Sequence, residues 1–321
     1  MHVKKISDSD ITKYNQLAIE YGTIFNTIDW LKIFGDKVQM YGLYDKGDNL
    51  IGGFYLYRQK RLGLSVYRNT PFSPTIGPFL KINAKNPVAI MALWKKVLAE
   101  MADTIDGLRY SIIAFALNKK LIDTQPFIWK KFKVIPGYTY LVDLGQSIDD
   151  IRKNMSTERR NDIKKATKDG VTVKHTDDLQ IVKSLIVKTF TRQGMTTDEH
   201  YIDKILFEFA NKDNSFAKIA LKDDNPISAL FCIYDNNTAY YLLGGYDSEN
   251  SHHGAGPMVV WEGIRHAKEL GLKQFDFEGS MAPQIERYFR GFGGQLTPYY
   301  RICKAKLPLE ILLKFFKREL F

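Results

Sequence analysis

Three apolar runs between Ser215 and Asp247 constrain the fold more than any other feature of the sequence. The segment, SFAKIALKDDNPISALFCIYDNNTAYYLLGGYD, has turn-forming residues at KDDNP and DNN, which predicts a meander of three antiparallel strands. A helix, PMVVWEGIRHAKELG, follows, with Pro257 suited to its first turn and Gly271 to its end, and then comes a strand, KQFDFEG. Hairpins and helices therefore mix, which excludes a TIM barrel, where strand and helix alternate strictly.

The first half of the chain shows the same order of elements. A hairpin in VQMYGLYDKGDNLIGGFYLYRQKR precedes a proline-rich loop, NTPFSPTIGPF, that cannot be a central strand. Apolar residues then recur at helical spacing in NPVAIMALWKKVLAEMADTI, before the strands YSIIAFAL and TYLVDL. Between the halves, SIDDIRKNMSTERRNDIKKATKDG predicts a basic helix that starts at Ser147, is interrupted near Asn154–Ser156 and ends at Gly170. We interpret the two halves as related α/β modules.

The charge balance favours phosphate-bearing partners. The 321 residues contain 46 Lys+Arg against 36 Asp+Glu, a net charge of +10. RNA, a nucleotide-linked substrate, coenzyme A and an anionic membrane all fit this charge, and the alternative is a basic surface that only aids solubility. Cys232 and Cys303 lie in strand-like segments without a CxxC pair, which predicts buried free thiols in a reducing compartment. No secretory or membrane-spanning apolar run is found, so we expect a cytoplasmic protein.

The loop YDSENSHHGAG before the helix at Pro257 is a candidate phosphate site. Gly254 and Gly256 would leave backbone N–H groups of the helix N-terminus open to an anion, although a glycine-rich connection without a ligand is the alternative. His252 and His253 are adjacent and lack a spaced carboxylate partner, so we expect no metal site there.

Five motifs, in this order, resemble the Fem family, which belongs to the GNAT-fold acyltransferase superfamily and builds peptidoglycan interpeptide bridges. They are FNTIDW (25–30), STERRNDIKKATKDGV (156–171), TFTRQG (189–194), AKELGLKQFDFEG (267–279) and YFRGFGG (288–294). Two positions depart from the family pattern: Thr197 stands where a further Arg is found, and Phe289 stands where a Lys is found.

The resemblance implies an α/β (α+β) fold of two tandem GNAT-like domains, each with a mixed, mostly antiparallel sheet flanked by helices. The expected domains are residues 1–142 and 143–305, with the C-terminal helix, 306–321, packing on the first. The resemblance also implies acyl or aminoacyl transfer to an amine. The donor co-substrate is expected to be aminoacyl-tRNA, as in Fem enzymes, or acyl-CoA, as in GNAT relatives, with no tightly bound cofactor. The acceptor is expected to be a muropeptide or a small-molecule amine, and we expect no DNA partner.

Amide formation from an activated ester or thioester requires a base for the amine proton and donors for the oxyanion. No Ser/His/Asp or Cys/His order stands out, so we expect direct attack without a covalent enzyme intermediate. In FDFEG, Asp276 and Glu278 lie two apart and would share one face of a regular strand. Glu278, nearer the strand end, is the expected base. The alternative is that both carboxylates are exposed or pair with Arg287 and Arg290.

Arg290 is expected to neutralise a donor phosphate or the oxyanion, unless it forms a surface ion pair with Glu286. In the first half, Tyr67 and Arg68 follow Arg58 and Arg61 and precede the proline-rich loop. Cations beside an aromatic ring suit a phosphorylated or glycan-bearing acceptor, and a basic exposed hairpin face is the alternative.

Arg192 and Tyr201 are expected to complete an acceptor cleft between the domains, and Arg160 is a further substrate-binding candidate from the family motif. The terminal helix LEILLKFFKREL is amphipathic and basic. It would touch either the core of the protein itself or an anionic membrane. Two other functions stay open: an acyl-CoA-dependent N-acyltransferase of a small molecule, and a noncatalytic module that binds RNA or anionic lipid through its charge.

Overall fold

The structure, a computed structural model, describes residues 1–194, 198–250, 252–279 and 281–317. Thr197, which the family comparison singles out, lies outside these residues. The chain divides into two compact units. The first contains Met1–Gly137 and the segment that starts at Pro298, and the second contains Tyr138–Thr297. The predicted domain limits, 1–142 and 143–305, stay a prediction.

The elements up to Asp143 follow the predicted order of hairpin, loop, long helix and strands. They are β1 (His2–Lys5), α1 (Ile11–Tyr21), α2 (Ile28–Lys32), β2 (Val38–Tyr44), β3 (Leu50–Arg61), β4 (Leu64–Arg68), β5 (Phe79–Leu80), α3 (Pro87–Asp106), β6 (Ile112–Ala116), α4 (Gln125–Trp129) and β7 (Lys133–Asp143).

The remaining elements contain the predicted meander and the helix–strand pair after it. They are α5 (Ile148–Asn154), α6 (Thr157–Lys168), β8 (Thr172–His175), α7 (Leu179–Arg192), α8 (Glu199–Asp203), β9 (Ser215–Lys222), β10 (Asn225–Tyr234), β11 (Thr238–Tyr246), α9 (Ala255–Glu269), β12 (Gln274–Asp276), α10 (Pro283–Arg290), β13 (Gln295–Ala305) and α11 (Leu307–Phe316).

Local capping explains where the basic helical segment breaks. The Ser147 hydroxyl accepts a hydrogen bond from the Asp150 N–H and starts α5, and the Ser156 hydroxyl accepts one from the Arg159 N–H and starts α6. The interruption predicted near Asn154–Ser156 is therefore confirmed. Helix α8 passes directly into a π-helical stretch, Lys204–Phe209.

Each unit has a mixed sheet. In the first unit the strands are ordered β1-β2-β3-β4-β6-β13, with β5 beside β3, and in the second they are ordered β7-β12-β11-β10-β9-β8. Strands β4 and β6 are parallel, and so are β11 and β12, whereas the neighbouring pairs around them are antiparallel. Each parallel pair is joined by a long helix, α3 or α9, which confirms the predicted fold class of mixed, mostly antiparallel sheets flanked by helices.

In the second unit, helices cover both faces of the sheet. A Cβ added to Gly245 on β11 would lie 2.7 Å from the Leu185 Cβ of α7, and one added to Gly263 of α9 would lie 2.9 Å from Leu230 on β10. These close approaches fix α7 on one face and α9 on the other. The ends of both helices are thereby brought to the same end of strand β11.

The last helix, α11, belongs to the first unit and packs beside Cys303 and Ala305 through Leu313. Both cysteines, Cys232 and Cys303, are buried free thiols. None of the α11 residues is buried, and five of its large apolar side chains are more than half exposed: Leu307, Ile311, Leu312, Phe315 and Phe316. Within the described ranges, every helix is too short or too polar to span a lipid bilayer.

Candidate active site

A cavity of about 600 Å³ lies wholly within the second unit, where β11 and β12 separate. The two strands pair in parallel only from Thr238–Gln274 to Tyr240–Asp276. Beyond that point the space between them is bordered by the end of α7, the first turn of α9 and helix α10. Ligands of open α/β sheets bind at such carboxyl ends of parallel strands, and the volume is typical of a small-molecule site.

A β-bulge shapes the floor of the cavity. Phe231 pairs with Leu243 and Cys232 pairs with Tyr241, so Leu242 is an extra residue in β11. Both Tyr241 and Leu242 consequently line the cavity. The Tyr241 ring lies along Gly244, where any Cβ would collide with its hydroxyl, so the bulge and this glycine together define the position of the ring.

Helix α9 begins at the cavity with Gly254 as its N-cap. The N–H groups of Gly254 and Ala255 donate to Nδ1 and to the carbonyl oxygen of His252, and Pro257 has no N–H, so among the described residues the Gly256 N–H is the donor that this turn leaves for a ligand. Gly256 and Pro257 of that turn line the cavity. The positive end of the helix dipole and the Gly256 N–H therefore form an environment suited to an anion. A Cβ at Gly254 would collide with the Asp162 carbonyl oxygen, so this glycine also lets α9 approach α6.

Two buried polar side chains hold the loop before α9. Asp247 accepts hydrogen bonds from Lys188 Nζ at 2.7 Å and from the Glu249 N–H at 3.0 Å. These bonds, with that of Lys188 the largest contribution, lower the pKa of Asp247 from 3.8 to about 2. His252 Nδ1 accepts from the Gly254 N–H at 3.1 Å, so its Nε2 carries the proton and donates to Asp169 Oδ2 at 3.1 Å.

Glu278 lines the cavity from a strained backbone. Strand β12 ends at Asp276, and Glu278 has φ +58°, so the expectation that the two carboxylates share one face of a regular strand is wrong. Asp276 is buried and its Oδ1 accepts hydrogen bonds from the Glu278 N–H at 2.8 Å and the Thr139 hydroxyl at 2.6 Å. Asp276 therefore stabilises the turn that presents Glu278, one of whose carboxylate oxygens is buried.

Tyr288 is a cavity residue that sequence reasoning missed. Its hydroxyl lies beside the first turn of α9, 3.2 Å from the position of a Cβ on Gly256. Burial raises the pKa of Tyr288 well above 10, and the nearby Arg159 guanidinium opposes this rise. Arg159 lies 4.9 Å from the Tyr288 ring centroid. The sequence does contain a signal for Arg159: it lies at helical spacing from Ile163 and Ala166, the other buried residues of α6.

The cavity brings three of the predicted site residues together: Glu278, Gly256 and Arg192, whose guanidinium lies 5.7 Å from the Tyr246 ring. The other predicted residues of this unit do not line it. Arg290 pairs with Glu286 at 3.0 Å, which is the surface ion pair considered as the alternative. Arg160 donates to the Lys153 carbonyl oxygen at 2.8 Å.

Four further predicted residues lie elsewhere. Tyr201 is buried in α8 and is not part of the cavity wall. In the first unit, Tyr67 is only 3% exposed, whereas the next residue of β4, Arg68, is exposed. The Arg58 guanidinium, also predicted at the acceptor site, donates to the Ser65 hydroxyl at 2.8 Å. The assignment of substrate-binding roles to these residues stays a prediction.

Residues 152–290, which contain every wall of the cavity, match the family model of the acetyltransferase (GNAT) domain. The second unit carries an acyltransferase domain. No curated protein matches the sequence.

Solved structures resemble the whole chain. A crystal structure of FemX is 14% identical, with a TM-score of 0.69, over 98% of this chain and 100% of that one. L-PGS from Bacillus licheniformis is 12% identical, with a TM-score of 0.57, over 99% and 98%. A tandem GNAT protein from the clavulanic acid biosynthesis pathway is 12% identical, with a TM-score of 0.51, over 94% and 97%. At these identities the likeness shows the fold alone, and it agrees with two tandem GNAT-like domains.

Proposed function

We propose that the second unit binds an acyl-CoA in its cavity and transfers the acyl group to an amine. The observation that carries this proposal is the N-terminus of α9, whose residues Gly256 and Pro257 line the cavity together with Glu278. A pyrophosphate needs N–H donors and positive potential; the dipole of α9 supplies the potential, and the Gly256 N–H supplies one donor. The Arg192 guanidinium, also in the cavity wall, adds positive charge for the donor phosphates.

The residues around the cavity suit direct transfer. The amine nitrogen attacks the thioester carbonyl carbon, so that a C–N bond forms and the C–S bond breaks. Glu278 accepts the proton that the amine loses, and its partly buried carboxylate suits a base. Tyr288 gives its hydroxyl proton to the departing thiolate and regains one from solvent. No covalent enzyme intermediate is needed.

A second candidate is aminoacyl transfer in cell-envelope synthesis, with aminoacyl-tRNA as donor and a muropeptide as acceptor. Its support is the exposed basic face of α6, where Lys164, Lys165 and Lys168 point away from the buried stripe. Such a face suits a nucleic-acid backbone. A small-molecule amine and a muropeptide are both compatible with the first proposal as acceptors.

Calorimetry with the whole chain separates the donors. Acetyl-CoA, longer acyl-CoAs, free CoA and charged tRNA are titrated separately, and the same titrations are repeated with Gly256→Val, which fills the first turn of α9 beside Tyr288. We expect acyl-CoA binding that Gly256→Val abolishes. Binding of charged tRNA without any binding of CoA compounds would reject the first proposal in favour of the second.

A further inference from the structure

Arg159 is a buried cation beside the cavity. Only 9% of its surface is exposed, although it lies on the polar helix α6. Its guanidinium forms ion pairs with Asp162, one turn further along α6, and with Glu158 at 3.2 Å. A buried charge is costly unless it is paired, and these two carboxylates provide the pairing.

The chain around Arg159 is built to admit it. A Cβ at Gly291, the residue after α10, would lie 2.7 Å from Arg159 Cγ and 3.1 Å from its Nε. Any larger residue there would push the arginine from its place. The guanidinium consequently lies against the face of the Tyr288 ring, 4.9 Å from its centroid. Stacking of this kind is a property of the planar guanidinium that lysine does not share.

The opposite end of the same ring reaches the cavity. The Tyr288 hydroxyl lies beside Gly256 in the first turn of α9, and the Tyr288 ring also contacts Phe292 edge-to-face, with 5.4 Å between centroids. Arg159 therefore contacts the reacting region through the Tyr288 ring. Its contacts specify the position of the ring and place a fixed positive charge next to a phenol.

We propose that Arg159 is a positioning residue that holds the Tyr288 hydroxyl at the first turn of α9 and stabilises its phenolate. The role of that phenol in acyl transfer rests on the proposed function, but the coupling between Arg159 and Tyr288 does not. When Tyr288 gives its proton to the leaving sulfur, the phenolate carries the negative charge until solvent returns a proton. The neighbouring cation lowers the free energy of that charged state.

Other titratable groups near Tyr288 also affect its pKa. Asp162 on α6 and the phenols of Tyr241 and Tyr246 on β11 all act to raise its pKa, whereas Arg159 lowers it. His253 Nε2 lies 3.8 Å from Asp162 Oδ1, so protonation of that histidine would weaken the influence of Asp162. One of the variants must therefore change Arg159 and Asp162 together, so that Asp162 is not left without its arginine partner.

The experiment places a fluorinated tyrosine at position 288 of the full chain and follows its titration by fluorine NMR. The variants are Arg159→Lys, Arg159→Met and the double variant Arg159→Met with Asp162→Asn. Arg160→Met is the matched control, because that arginine is the next residue and donates to the Lys153 carbonyl oxygen instead. We expect Arg159→Met to raise the pKa at position 288 by about one to three units, the size expected for loss of a nearby opposite charge.

The double variant keeps the proposal falsifiable if Arg159→Met alone fails to fold. It should still raise the pKa, by a smaller amount because Asp162 has also lost its charge, and Arg160→Met should leave it unchanged. Equal pKa values in the wild type and in folded Arg159 variants would overturn the proposal. Turnover with acyl-CoA is measured in parallel: kcat should fall with little change in the KM of the donor. Absence of any turnover in the wild type would reject the proposed function, whereas the titration would still decide the coupling.

Discussion

The two units contain the same strand–loop–helix–strand arrangement but use its loop in opposite ways. In the first unit, the loop between β4 and α3 folds back over the end of the parallel pair: the Ile76 N–H donates to the Ala116 carbonyl oxygen at 2.7 Å, and the Asn118 N–H donates to the Ile76 carbonyl oxygen at 2.9 Å. Strand β5, from the same loop, pairs with β3. In the second unit, the corresponding space beyond β11 and β12 is the cavity.

The helices that follow these loops differ in the same sense. The Asn86 side chain caps α3 and accepts from the N–H groups of Val88 and Ala89. Helix α9 starts at Gly254, and His252 accepts from the N–H groups of Gly254 and Ala255. Both helix N-termini are therefore bonded within the chain, but the first turn of α9 also lines a cavity through Gly256 and Pro257. The difference teaches that the connecting loop, and not the sheet topology, decides whether the end of the parallel pair is covered.

The largest effect is expected from substitution of Glu278, the proposed base in the second unit. Glu278→Gln removes the proton acceptor but keeps the shape of the side chain. We expect kcat for acyl transfer to fall about 100-fold or more, the usual size of a general-base contribution, with an unchanged unfolding transition. Steady-state kinetics and thermal unfolding of the two proteins provide the measurement.

The matched control is Glu286→Gln. Glu286 accepts a hydrogen bond from the Tyr140 hydroxyl at 2.5 Å and pairs with Arg290, and it does not line the cavity. Its kcat should stay within a few-fold of wild type. An equal loss in both variants, or none in Glu278→Gln, would remove Glu278 from the mechanism.

The second prediction compares substitutions at the starts of α9 and α3. In Gly254→Ala the new Cβ collides with the Asp162 carbonyl oxygen, which pushes α9 away from α6. We expect a loss of about 1–3 kcal/mol in the free energy of unfolding, typical of overpacking, together with weaker donor binding. Asn86→Ala should cost about 1 kcal/mol through the lost cap and leave the donor Kd unchanged. Denaturant unfolding and calorimetry measure both, and weaker donor binding in Asn86→Ala would contradict the assignment of the site to the second unit.

Much of this fold could be predicted from the sequence because its signals are local. The turns KDDNP and DNN, the proline at the start of α9 and the glycine at its end each act within a few residues, and strands β9, β10 and β11 and helix α9 follow them. The break between α5 and α6 was predictable for the same reason, since Ser156 caps its own helix. The closing of the first unit by its loop was not, because it depends on hydrogen bonds between distant segments.

The site could be predicted only in part. Gly256, Arg192 and Glu278 come from motifs at the ends of α7 and β12 and at the start of α9, and the topology brings such ends together. The left-handed backbone of Glu278 depends on Asp276 and Thr139, which lie far apart in the sequence. The family motif indicated Arg160 as the substrate-binding arginine, whereas the helical spacing from Ile163 indicates that Arg159 is the buried one.

The third prediction concerns pH and the loop that leads to α9. Bonds from Lys188 and the loop N–H groups lower the folded-state pKa of Asp247 from 3.8 to about 2, so the folded protein binds this proton less readily than the unfolded chain. Its stabilising contribution is fully present above pH 4 and is lost as the pH falls toward 2. Asp247→Asn should therefore lower the thermal midpoint at pH 7, and the difference from wild type should vanish near pH 2. A constant difference across this range would show that the charge of Asp247 does not stabilise the loop.

The smallest effect is expected from substitution of Arg68 in the first unit. Arg68 is exposed on β4 of the first unit, so Arg68→Ala should change the free energy of unfolding by less than about 0.5 kcal/mol and leave the donor Kd unchanged. Its predicted role in binding a phosphorylated or glycan-bearing acceptor would appear only as a higher acceptor KM. Arg61→Ala, on the preceding strand β3, is the comparison for a general loss of positive charge. An equal rise of the acceptor KM in both variants would indicate nonspecific electrostatic attraction of the acceptor. An unchanged acceptor KM in both variants would show that these arginines of the first unit do not bind the acceptor. A higher donor Kd in Arg68→Ala would contradict the proposal that the second unit alone binds the donor, because donor binding would then depend on a residue of the first unit.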